Sequence, residues 1–150
     1  MKATTTWILI ADGAEAKVFA HRGPGKGLQI VENMHFSQEP LQARDIMADR
    51  PGNATGSQGA RNSGGVEYSS DPVAVRERRF VEEVASELDT RLNKGEFERL
   101  IIAAAPTALG DIRPALSKGV KATVLAELDK DLTNVPTAQL GKHFDAVLAV

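Results

Sequence analysis

Arginines crowd the middle of this 150-residue chain: Arg44 precedes a glycine-rich stretch, Arg50 and Arg61 stand in it, and Arg76, Arg78 and Arg79 follow just beyond it. A guanidinium offers a planar fork of donors that matches phosphate oxygens, and the first turn of a helix, with its unpaired N–H groups, also favours anions. Phosphate binding is the chemistry that this grouping could perform. Asp45, Asp49, Glu67 and Asp71 lie among the arginines and could neutralise them locally, so the residues alone leave both readings open.

Other chemistry-bearing residues point to turns and surfaces. Asp12 with Glu127 or Asp129 could hold paired metal ions at strand ends, but the fourth strand closes on Ala103-Ala104-Ala105-Pro106 and brings no carboxylate. Asp12 is already explained by its Asp-Gly turn. Gly23-Pro24-Gly25-Lys26-Gly27 lacks the Gly-x-x-x-x-Gly-Lys-Ser/Thr spacing of a phosphate loop and joins two strands, so it reads as a hairpin turn. His21, His35 and His143 show no metal-ligand spacing and no serine partner, which makes them surface or strand-edge histidines. No metal and no cofactor is expected.

The elements that would carry these residues follow from hydrophobic period. Trp7 to Ala11 is apolar on both faces, as a covered strand would be. Ala16, Val18 and Ala20 alternate with Lys17, Phe19 and His21 in a second strand, and Leu28 to Phe36 makes a third, giving an antiparallel meander. Asp71 is a good helix N-cap with Pro72 at the first helical position, and Phe80, Val84, Leu88 and Leu92 form a stripe that ends near Lys94-Gly95. Leu100 to Ala105 is then a buried strand. A short helix carries Ile112, Ala115 and Leu116 to a stop at Gly119, Lys121 to Leu128 is a fifth strand, and a last helix from near Pro136 turns Leu140, Phe144 and Val147 inward. The expected class is α/β: a mixed five-stranded sheet in the order β-β-β-α-β-α-β-α, a ribonuclease H-like topology.

Composition sets the bounds. A chain of this length with 42% hydrophobic residues suits one domain over 1–150. It contains no cysteine, which excludes disulfides, thiolate catalysis and cysteine-ligated metals. Five apolar residues from Trp7 to Ala11 are too few for a signal peptide or a membrane span, so a soluble, cytoplasmic protein is expected. The formal charge of −2 argues against a general nucleic-acid coat, though not against a local basic patch. Residues 49–71, with Gly52, Gly56, Gly59, Gly64 and Gly65, read as a long flexible loop of the kind that carries function.

Several segments together resemble one bacterial family, the host attachment proteins. They are Trp7 to Phe19, Asp49-Arg50-Pro51-Gly52, Asp71-Pro72 with Phe80, Leu100 to Pro106 followed by Leu109-Gly110 and Arg113, and Lys130-Asp131-Leu132-Thr133. The resemblance covers nearly the whole chain. It implies a fold similar to the middle domain of archaeal and eukaryotic peptide-chain release factors and of Pelota. In release factors that domain carries a Gly-Gly-Gln tip on the loop before its long helix, and the corresponding loop here holds Gly56-Ser57-Gln58. A serine in place of the second glycine resists the dihedrals that glycine permits, and the triplet also arises by composition, so a solvated loop is the leading reading.

The expected function is a non-catalytic binding domain for RNA or a ribosomal partner, with Arg44, Asp49, Arg50, Gln58, Arg61, Arg76 and Arg79 as binding residues. A protein–protein interaction module supporting attachment to host cells is the alternative. A release-factor-like hydrolase comes third.

Overall fold

The computed structural model describes residues 4–39 and 71–148. Strands β1 (Thr6–Ala11), β2 (Glu15–His21) and β3 (Gln29–Ser37) are followed by helix α1 (Pro72–Asn93), strand β4 (Arg99–Ala104), helices α2 (Pro106–Ala115) and α3 (Lys118–Thr123), strand β5 (Val124–Leu128), helix α4 (Thr137–Leu140) and a 3₁₀ turn (Gly141–Phe144). The strands form one mixed five-stranded sheet in the order β3-β2-β1-β4-β5. β1 is antiparallel to β2 and parallel to β4, and β5 is parallel to β4.

The apolar run of β1 has the physical cause that its pattern suggests. As the central strand it is buried on both faces. Trp7, Leu9 and Ala11 join Leu100, Ile102 and Ala104 under α1, α2 and α3, while Ile8 and Ile10 join Phe19, Ile101 and Ala103 on the other face. Leu132, Leu140 and Phe144 cover that second face. Trp7 also stacks on Phe97, with centroids 4.6 Å apart.

Helix α1 obeys its local signals at both ends. The Asp71 carboxylate accepts from the N–H groups of Val73 and Ala74, and Pro72 occupies the first turn. At the other end Gly95 adopts φ +76, and the N–H groups of Gly95 and Glu96 return to the carbonyls of Leu92 and Arg91. This is a Schellman cap, which needs a left-handed residue where glycine stands. Phe80, Val84 and Leu88 are buried and Leu92 packs against them.

Two sequence expectations need correction. Gly119 does not stop a helix: Ser117 caps the separate short helix α3 through the Val120 N–H, Gly119 lies inside it, and β5 begins at Val124 rather than Lys121. The second crossover therefore carries two helices. His21 is no surface histidine; it is 4% exposed at the end of an interior strand, opposite the buried Thr6. β3 is irregular, with its register against β2 shifting between Lys17 and Phe19 and Asn33 at φ 68 in the bulge. Among the described residues no helix is long and apolar enough to cross a membrane.

Candidate functional site

The ends of β1, β3 and β4 meet the start of α1 at one end of the sheet, and the side chains capable of chemistry gather there. Asp12 makes the turn out of β1. Its Oδ1 accepts from the N–H groups of Ala14 at 2.8 Å and Glu15 at 2.7 Å. The Thr133 hydroxyl lies 2.6 Å from Asp131 and 3.4 Å from Asp12, and its single proton goes to the nearer carboxylate. Asp12 is thus explained as a turn residue. Glu127, its candidate metal partner, is held instead by Arg113 at 2.7 Å. Among the described residues no group of three or more His, Asp or Glu side chains is placed to hold a metal ion.

Gln38, one residue past β3, ties this end together. Its N–H donates to the Ala14 carbonyl, its side-chain amide donates to the Gly13 carbonyl at 3.1 Å, and its amide oxygen accepts from Arg76 Nε at 3.3 Å. Arg76 is therefore oriented by a residue from the sheet. Around it lies a cavity of 440 Å³ whose helical wall follows one stripe of α1: Pro72, Val75 and Phe80 supply apolar surface, and Arg76, Arg79 and Glu83 the charged rim. Such a stripe results when positions three and four apart share a helix face. Arg79 is exposed and has no ion pair among the described residues.

The other flank of the same helix turn is acidic. Asp12, Glu77 and Asp111 line a second cavity of 340 Å³ beyond the ends of β1 and β4. Gly13 packs so close to Glu77 that an added Cβ would sit 2.6 Å from Glu77 Cδ. Burial pushes the Asp111 carboxyl above its ordinary range, with nearby Arg78 pulling it back and Glu82 adding to the rise. Arg78 thus belongs with Asp111 rather than with Arg76 and Arg79, and its contact with Glu82 at 3.8 Å is between exposed groups.

Of the residues expected to bind, the structure brings Arg76 and Arg79 to one cavity. Arg44, Asp49, Arg50, Gln58 and Arg61 lie outside the described residues, as do Asp45, Glu67 and the Gly56-Ser57-Gln58 triplet. Sequence reasoning missed Gln38, Glu77 and Asp111. Only helical spacing from Arg76 and Arg79 signalled the stripe, and nothing local to Gln38 announced its bond across 38 positions.

The family model described as "Protein required for attachment to host cells" matches residues 7–144, and the chain belongs to that family. No curated protein sequence matches it at the same standard. Among solved structures it is similar to an archaeal translation termination factor, with 13% identity over 82% of this chain and 29% of that one at a TM-score of 0.47. Another archaeal protein is similar at 13% identity over 97% of this chain and 35% of that one, with a TM-score of 0.46. The chain spans about a third of the length of these structures. Both likenesses are loose and concern the fold alone.

Proposed function

We propose that this host attachment family protein is a non-catalytic, cytoplasmic single-domain binder of RNA, free or in a ribosomal partner. The observation that supports this most directly is the cavity at the start of α1, where Arg76 and Arg79 border an apolar floor. Residues 40–70 join Glu39 to Asp71 at this same end. The reading assigns Arg44, Asp49, Arg50, Gln58 and Arg61, which belong to that segment, to the same ligand. Titration of a labelled single-stranded RNA over a range of salt tests this. Affinity should fall steeply as salt rises, because each phosphate neutralised releases counterions. Absence of affinity at low salt would dismiss the reading.

A second reading is a protein–protein module supporting attachment to host cells. β3 and β5 are both sheet edges, and each exposes a large apolar side chain, Ile30 at 56% and Leu125 at 45%. A partner bound there would be largely indifferent to salt. The hydrolase reading depends on Gly56-Ser57-Gln58 and gains no support from the described residues.

A further inference from the structure

We infer that the cavity at the start of α1 takes one unstacked nucleotide of an RNA strand, its base against Val75 and Phe80 and its phosphate on Arg79. The inference rests on the RNA reading above and makes it specific to unpaired strands. Three features of the cavity lead to it. Its volume of 440 Å³ lies within the roughly 300–1,000 Å³ range of small-ligand sites, so this open depression has room to seat a flat ring system. Its floor is apolar, since Phe80 is 5% exposed and Pro72 and Val75 are half-buried. Its rim carries both signs, because Glu83 lines it with the two arginines.

The mixed rim decides against a bare anion. A lone phosphate or sulfate would gain from Arg79 but be opposed by Glu83, and it has no use for an apolar floor. A nucleotide separates these demands: the base brings ring faces and N–H donors, and the phosphate lies outside the ring. Arg76 adds to the fit, because its bond to Gln38 fixes a guanidinium plane of the kind on which bases stack. Gln38 itself is spent on Arg76 and the Gly13 carbonyl. Its amide donors go to the Gly13 and Arg76 carbonyls, so it has no N–H left for a base edge, and the pocket accepts bases chiefly by shape and stacking. A duplex keeps its base faces stacked inside and offers phosphates, 2′-hydroxyls and groove edges, so it can reach Arg79 but brings no free base face to fill the cavity.

The test compares a short mixed-sequence RNA, single-stranded or annealed to its complement, by fluorescence anisotropy at low salt, with free nucleoside monophosphates as competitors. The wild-type protein should bind the single strand about tenfold more tightly than the duplex, as one stacked base contributes. Val75→Met, which narrows the cavity without adding an aromatic face and leaves both arginines in place, should erase that preference while duplex affinity persists. Its thermal melt by circular dichroism shows whether it folds. Should it not fold, photo-cross-linking of a thiouridine-substituted strand to the wild-type protein replaces it, with adducts expected between Pro72 and Glu83. Equal affinity for the two RNA forms, a preference that survives Val75→Met, or adducts confined elsewhere would overturn the nucleotide pocket alone. A monophosphate that binds as tightly as the strand would overturn the strand. If neither RNA form binds, the RNA reading itself falls and takes this inference with it.

Discussion

Asp12 shows how much of an acidic residue's purpose can be local. One of its oxygens accepts two backbone N–H groups that the turn into β2 would otherwise leave unpaired. Asp12→Ala should cost about 1–2 kcal/mol and Asp12→Asn, which keeps an acceptor oxygen, distinctly less. Urea midpoints at unchanged slope would measure both. Asp111 poses the opposite case, a carboxyl that the fold makes harder to ionise. Because burial raises it, the folded protein holds this proton more tightly than the unfolded chain. Its contribution is therefore most favourable below the ordinary aspartate value of about 3.9 and is lost as pH rises through the raised folded value. Asp111→Asn should accordingly raise the melting temperature at neutral pH and change it least in acid. A melting series across pH that shows the reverse trend would contradict the burial of this group.

At the scale of elements, α1 is the helix on which both core and site depend. Leu88 is fully buried beneath it, so Leu88→Ala should cost about 2–5 kcal/mol, whereas Glu83→Ala on the exposed side should stay within about 0.5 kcal/mol. Similar melting losses for the two would show that the helix is rotated from its described phase. This helix was legible in the sequence because every signal that defines it is local: Asp71 and Pro72 at one end, Gly95 at the other, and a four-residue stripe between. The segment after α2 was not. Gly119 looks like a stop, yet the Ser117 cap permits a new helical turn and the glycine has ordinary space, with Leu92 Cδ2 3.5 Å from an added Cβ. The bulge at Asn33 and the burial of His21 were illegible for a different reason. Each depends on what pairs with or packs over a strand, which period and propensity do not encode. The site divides in the same way: Arg76 and Arg79 follow from helical spacing, but Gln38 reaches them only because β3 pairs with β2 and ends beside the Asp12 turn.

Over the whole molecule the formal charge is −2, so any affinity for a polyanion has to come from where cations are placed rather than from how many there are. The sheet separates its ends: the Gly23–Gly27 turn with Lys26 lies where β1 begins, and the Asp12 turn lies where β1 finishes. The finishing end is itself divided by α1, with Arg76 and Arg79 on one flank and Asp12, Glu77 and Asp111 on the other. Only the first flank can accept phosphates. Replacing Arg76 and Arg79 together by glutamine keeps length and hydrogen-bonding capacity while removing two charges. The slope of log affinity against log salt for single-stranded RNA should then flatten by about 0.7, for the one phosphate deprived of Arg79, while loss of the Arg76 plane weakens binding with little further change in slope. Lys26→Gln removes one charge from the far end and should leave the slope unchanged. Glu77→Gln, which weakens the repulsive flank, should tighten binding without altering the slope, since it neutralises no further phosphate. Anisotropy titrations of these variants at several salt concentrations separate the possibilities. Equal effects from Lys26 and the arginine pair would mean that RNA is held by diffuse charge, and an unchanged slope in the double variant would place the phosphates away from α1.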